Sequence, residues 1–378
     1  MTKEQRTKTV KKIVLVIVVV FIVGFIIALQ TTKERIGTQE ITVTDVAKKA
    51  QEATTISEVE RLQKKSTIYE RAKELVNPNG YLNTEKITIS EHIGKDIILV
   101  DFWTYSCVNC QRTVPYLNDW YIKYKDKGLV IVGVHTPEFA FEQKKENVQK
   151  AIENFGIIYP VVQDNQFKTW TAYQNRYWPR KYLIDIDGFI VYDHIGEGAY
   201  RETEEKIQEL INERNEILGI EEKIEMQIQE EKGTKGPVFK VEDALRTPEI
   251  YFGYAFSRDQ LGNAEGWQPE RIVDYTLPEE RKRNRFYLGG AWKNNKDNIE
   301  LMNEKGTIYI KWHGKEINLV AGGEQAIEIE YKIDKQEWRR MTVKDFILYT
   351  LLKDEKPADH ALEIKAKKGL MAYTFTFG

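Results

Sequence analysis

Cys107 and Cys110 are the only cysteines in a chain of 378 residues. They stand in Asp101-Phe-Trp-Thr-Tyr-Ser-Cys-Val-Asn-Cys110-Gln-Arg-Thr-Val-Pro115, and any thiol chemistry must run through this pair. Three residues apart, they share one face of a helix. In a first helical turn, free backbone N–H groups and the helix dipole favour a thiolate at Cys107. Cys110 can then attack a mixed disulfide formed at Cys107. One nucleophile with one resolving thiol makes a redox pair. Two blander uses compete with it, a structural disulfide and half of a zinc site. Zinc normally takes four ligands, no further cysteine exists, and His92, His135, His194, His313 and His360 are scattered without finger spacing. No cofactor or metal is expected.

The flanking sequence supplies the elements that must hold the pair. Ile97-Ile-Leu-Val-Asp-Phe102 reads as a short buried strand. Beyond the cysteines, Val114, Leu117, Trp120 and Tyr121 recur as on an amphipathic helix. The pair therefore sits where a strand ends and a helix begins.

The N-terminus carries Lys3, Arg6, Lys8, Lys11 and Lys12, followed by residues 13–29 without a charge. That run is at the lower limit for spanning a bilayer. It is longer than the apolar core of most secretory leaders, and no good small-residue cleavage site follows it. The reading is an uncleaved signal anchor, a single pass through the cell membrane. Positive charge before the span keeps that end cytoplasmic, so residues 31–378 are expected outside, where disulfides persist and a dithiol needs an electron source. The net charge of −2 gives no argument for nucleic acid as a partner.

Residues 31–78 are polar with spaced apolar positions and read as a partly helical stalk, closed by the turn Asn77-Pro-Asn-Gly80. From 79 to 218 strands and helices alternate: a strand at 97–102, the redox helix at 107–124, and a strand at 129–134. A helix near 143–155, a strand at 159–162, a helix near 166–174, a hairpin over 181–192 turning at Asp187-Gly188, and a helix at 201–217 follow. Residues 219–246 read as a charged linker. From 247 to 378, short alternating runs at 285–288, 306–314, 317–320, 326–331 and 370–377 predict an all-β sandwich. Trp267, Trp292, Trp312 and Trp338 within it are either core residues or stacking platforms for a ligand.

The stretch Val100-Asp-Phe-Trp-x-x-x-Cys107-x-x-Cys110-x-x-x-x-Pro115 resembles the thioredoxin superfamily, closest to its membrane-tethered TlpA- and ResA-like branch. With Gly133-Val-His-Thr-Pro-Glu138 and a β-rich C-terminal domain, the layout is similar to the extracytoplasmic part of the DipZ proteins. There, a thioredoxin-like domain is joined to a carbohydrate-binding-module-like sandwich. The resemblance implies a thioredoxin fold over residues 79–218, preceded here by one transmembrane helix. It also implies a nucleophile at Cys107, a resolving thiol at Cys110, and a buried proton acceptor at Asp101. Pro179, after Trp178, matches the family's cis proline facing the cysteines, and Glu138 matches an acid in a loop that reaches the active site. The multi-span electron-transfer portion of DipZ is missing, which implies a separate CcdA-type membrane protein as electron donor. The basic partner of the buried acid in cytoplasmic thioredoxins has no match, since 129–134 carries no lysine. Arg180 could favour the thiolate or face water.

The expected function is thiol–disulfide exchange on extracytoplasmic proteins, in the reducing direction. Run backward, the same geometry forms disulfides, and only relative potentials choose. A thiol peroxidase is a third reading, because Thr104-Tyr-Ser-Cys107 echoes peroxiredoxins. A fourth puts the function in residues 247–378, as a module binding cell-wall glycan or an envelope protein.

Overall fold

The computed structural model describes residues 56–225, 227–228 and 246–378. The expected anchor at 13–29 and most of the linker, 229–245, lie outside the described residues. Among the described residues, no helix is long and apolar enough to cross a membrane.

The first domain is a six-stranded sheet with helices on its faces. Its strands are β1 (Gly80–Leu82), β2 (Ile97–Trp103), β3 (Leu129–His135), β4 (Val161–Gln163), β5 (Arg180–Ile184) and β6 (Ile190–Ile195), in the order β1-β4-β3-β2-β5-β6. β2, β3 and β4 run parallel, and β5 lies antiparallel to β2. All seven residues of β2 are buried, as an inner strand covered on both faces requires.

Alternation then sorts the strand's side chains. Ile98, Val100 and Phe102 enter a core with Ala72, Leu75 and Ile89. Leu99 and Trp103 face the opposite core, with Val114, Leu117 and Trp120 of α2 (Val108–Tyr124) and Ile207, Leu210 and Ile211 of α5 (Tyr200–Leu218). Asp101 has the parity of Leu99 and Trp103, so it faces the layer that carries the cysteines. The remaining helices are α1 (Ile56–Ser66), α3 (Lys145–Phe155) and α4 (Lys168–Ala172).

The expected stalk, 31–78, is described only from residue 56: its α1 is fastened to the sheet, and Ala72 and Leu75 after it enter the core, so this part belongs to the domain rather than to a spacer. Lys65 Nζ lies 2.7 Å from Asp185, 2.8 Å from Asp187 and 2.6 Å from Glu213, and Arg61 pairs with Asp187 at 2.8 Å. Asp185 also accepts the Asp187 and Phe189 N–H groups, which shapes the β5–β6 turn around Gly188 at φ +83°.

The second domain has strands β7 (Ile250–Tyr251), β8 (Ile272–Tyr275), β9 (Phe286–Asn294), β10 (Ile299–Leu301), β11 (Gly306–Gly322), β12 (Ile327–Ile333), β13 (Arg339–Val343), β14 (Ile347–Ala366) and β15 (Met371–Phe377). It is β-rich as expected, but its strands form one hydrogen-bonded network of nine rather than two separate sheets. The runs 306–314 and 317–320 are one strand, β11, with register shifts near Gly314 and Ile317. Its first half pairs with β9 and its second half with β15; β10 joins β9 to β15 and closes a ring. Trp292 and Trp312 are fully buried in the core of this domain, so these two tryptophans pack rather than present a face to a ligand.

The domains share an aromatic seam. Phe139 and Phe141, from the loop after β3, pack on Tyr373 at ring-centre distances of 5.2 and 4.6 Å, and Phe141 also stacks on Phe346 at 5.4 Å. Contacts of this kind are each worth about 0.5–1.5 kcal/mol beyond area burial. Arg112 of α2 pairs with Glu316 of β11 at 2.9 Å, which brings the second domain onto the redox helix itself.

Candidate active site

Cys107 is the N-cap of α2. Its backbone is extended (φ −77°, ψ 116°) and its Sγ accepts the Cys110 N–H at 3.2 Å. The thiol thus does what a Ser or Asp oxygen does at an ordinary N-cap, in the place where a negative charge is best supported. The two Sγ atoms are 2.6 Å apart. Cys107 is partly exposed and Cys110 buried, which gives one thiol access to substrate and keeps the other behind it. Pro115 lies inside α2, where the helix loses one N–H donor.

Behind Cys110 is a charged pair. Asp101 is opposite Gly133 on β3 and opposite Lys181 on β5, and both Asp101 and Lys181 are buried. Burial lifts the Asp101 carboxyl to about 7, with the Lys181 charge pulling the other way. Burial lowers Lys181, which the Asp101 and Cys110 charges oppose. Burial and the Cys107 sulfur push the Cys110 thiol well above its ordinary value. Lys181 Nζ donates to the Gly196 carbonyl at 3.2 Å, while Asp101 Oδ1 has no hydrogen-bond partner among the described residues. The carboxyl is therefore free to take or give a proton near neutrality.

Lys181 corrects the sequence reading that the buried acid lacks a basic partner. On the β3 side the neighbour of Asp101 is Gly133, which has no side chain to offer. The cation comes from the other side, through the antiparallel β5 strand. One signal was available: Lys181 has the parity of the inward Leu183.

The Trp178–Pro179 peptide is cis, at the entry to β5, and Trp178 Nε1 donates to the Thr136 carbonyl at 3.0 Å. Glu138 is bonded to the second domain. Its carboxylate accepts the Tyr251 hydroxyl of the second domain at 2.7 Å, and burial together with Glu249 and Glu142 lifts it to about 8. The acid that reaches the cysteine turn is Glu142, which is fully buried. One of its oxygens accepts the Ser106 hydroxyl at 2.6 Å and the Ser106 N–H at 3.3 Å. Arg180 is held by Asp193 at 2.6 Å and stacks over Tyr182.

Comparison with known proteins agrees with this geometry. Residues 68–193 match the AhpC/TSA family model, and residues 247–378 match the thioredoxin-like C-terminal domain model. The thiol–disulfide oxidoreductase ResA of Bacillus cereus is 30% identical over 129 residues, covering 34% of this chain and 71% of that protein. The chain belongs to the ResA-like branch of the thioredoxin-like family. The chain is also similar to the DipZ protein of Mycobacterium tuberculosis. It is 34% identical over 310 residues, covering 81% of this chain and 43% of that protein. The chain thus spans less than half the length of the DipZ relatives it matches. Among solved structures, a DsbE-type thiol:disulfide interchange protein from Chlorobium tepidum matches at 23% identity. It covers 38% of this chain and 96% of that one, at a TM-score of 0.34.

One acidic cluster of the thioredoxin-like domain, Asp185, Asp187 and Glu213, has the spacing of a cation site. Lys65 already holds all three carboxylates, so its ammonium stands where a metal ion would.

Proposed function

We propose that the protein is a membrane-tethered, extracytoplasmic thiol–disulfide oxidoreductase that reduces disulfides in envelope proteins. The observation that carries this reading is the accessible Cys107 at a helix N-cap, 2.6 Å from a buried Cys110 that has behind it Asp101, one oxygen of which has no partner among the described residues, and Lys181. In the proposed cycle the Cys107 thiolate attacks a substrate disulfide, one substrate sulfur leaves as thiolate, and a mixed disulfide forms. Asp101 takes the Cys110 proton. The Cys110 thiolate then attacks Cys107 Sγ, the second substrate sulfur leaves, and the enzyme is left with a Cys107–Cys110 disulfide. Two electrons have passed to the substrate.

A CcdA-type membrane donor would return those electrons, since the chain has no further cysteine to relay them. The basic N-terminus followed by the uncharged run 13–29 supports the tether and the outward orientation. The cis Pro179 at the entry to β5 is assigned to substrate positioning by its correspondence with the family's proline.

Direction is tested by the reduction potential of the pair in the full chain, equilibrated with a thiol buffer series. A value near or below about −250 mV fits a reductase, whereas one near about −120 mV would make the protein a disulfide-forming oxidant. The AhpC/TSA match over 68–193 favours peroxide reduction at Cys107 as a second reading. Peroxide consumption faster than disulfide exchange in the same preparation would establish it.

A further inference from the structure

Glu142 joins two structures that the exchange cycle treats as separate. Its Oε1 takes the hydroxyl and N–H of Ser106, the residue immediately before Cys107. Its Oε2 takes the N–H groups of Glu138 and Phe139, at 2.6 and 2.9 Å. Those two residues begin the loop on which the second domain sits. Glu138 accepts the Tyr251 hydroxyl, Phe139 packs on Tyr373 and Phe256, and the Ala140 N–H donates to Asp297 at 3.2 Å. Phe141, one residue before Glu142, lies between Tyr373 and Phe346.

A carboxylate suits this place because each of its oxygens can accept two donors. Four donors converge on Glu142, two from each side, and the group is fully buried, so no water stands in if one side moves. A shift of the loop must carry Glu142 with it, and Glu142 must carry Ser106.

We propose that Glu142 is a positioning residue for Cys107: a strut through which the docked β-rich domain sets the turn carrying the nucleophile. This rests on the exchange chemistry proposed above and gives the second domain a part in it. The domain then acts on the reacting sulfur at one remove, without contributing a group to the reaction.

The test uses the full chain, reduced, reacting with a small aromatic disulfide whose released thiol is coloured. Glu142→Gln leaves one oxygen and turns an amide NH2 toward two donors, so it breaks one arm. Ser106→Ala removes one bond of the cysteine arm, and Ser106→Thr keeps it. Phe346→Ala loosens the seam on the far side of the domain boundary. We expect E142Q to slow exchange about tenfold and F346A severalfold, and S106T to retain the rate that S106A loses. In the E142Q background F346A should add less than about twofold, because the strut that transmits it is already cut. The reduction potential should move with E142Q and with F346A.

If F346A leaves rate and potential unchanged, or its effect multiplies with that of E142Q, the coupling is wrong. If E142Q does not fold, the Ser106 pair and F346A decide, since S106A and F346A should then be non-additive in the same way. If the parent chain itself fails to react with the disulfide, it is the proposed oxidoreductase function that falls.

Discussion

Asp101 and Lys181 face each other across the β2–β5 pairing, directly opposite in register and both buried. Neither charge is well placed alone, since an isolated ion in such a site is costly. Together they make a proton store beside Cys110. Lys181 keeps the acid from rising further, and the acid opposes the fall that burial imposes on the lysine. The pair is what lets a carboxyl with no hydrogen bond to one oxygen titrate near neutrality.

Removing the ammonium should therefore move the acid upward. In Lys181→Met, the inflection that Asp101 gives the exchange rate near pH 7 should shift to higher pH. Asp101→Asn should abolish that inflection and slow release of the mixed disulfide by about 100-fold, while leaving the first attack by Cys107 largely intact. Rapid-mixing kinetics from pH 5 to 9 check both. An unchanged profile in either variant would remove Asp101 from the proton path.

Cys110→Ser should accumulate covalent adducts through Cys107, and Cys107→Ser should form none. Diagonal non-reducing electrophoresis of envelope extracts reads this directly. Equal trapping by the two variants would deny the division of roles between an accessible and a buried thiol.

Tyr251 bears on pH in another way. Its hydroxyl lies 2.7 Å from Glu138 and 3.0 Å from Glu249, and one hydroxyl hydrogen cannot serve two carboxylates. The crowding bears on Glu138, which burial and the neighbouring acids Glu249 and Glu142 lift to about 8. Glu142 lies close by and adds to the rise, while Arg258, over the Tyr251 ring, offsets it. With the folded value raised, the folded chain binds protons that the unfolded chain has released. The stabilisation is complete below about pH 4 and is lost as pH rises toward 8, with a slope of at most about 1.4 kcal/mol per pH unit for one proton. Urea melts of Glu138→Gln should show a flatter decline than the parent between pH 5 and 8. Parallel curves would mean that Glu138 is ionised throughout.

Lys65→Met would leave Asp185, Asp187 and Glu213 without their shared ammonium. The loss should be about 2–3 kcal/mol, below that of a fully buried pair because Lys65 is 14% exposed. Denaturant titration measures it. A neutral result would show that α1 is not held to the sheet by this cation.

What the sequence revealed was the part of the site that is local. The cysteine pair, the strand before it, the helix after it and the acid at Asp101 all fall within 97–124, where period and turn signals speak for themselves. Lys181 and Glu142 were hidden for different reasons. Lys181 is brought to Asp101 by strand register, which an isolated strand pattern does not specify. Glu142 reads as one more polar residue in a loop, since nothing in sequence separates a carboxylate with four donors from one in water. In the second domain, the 20-residue strand β14 has no clear alternating run to mark it. Its middle, Lys353-Asp-Glu-Lys-Pro357, looks like a loop, and Asp354 to Pro357 do fall between the paired residues Lys353 and Ala358.

β15 is the last described strand in the chain and an inner one in space, hydrogen-bonded to β7, β10 and β11. It also carries Tyr373, at the centre of the aromatic seam. As the polypeptide emerges, the thioredoxin-like half has every strand it needs before residue 200. The ring of the second half cannot close until β15, at 371–377, has appeared. Synthesis therefore delivers the cysteines well ahead of their cover, and the loop at 138–142 is the last part of the redox domain to find its final neighbours.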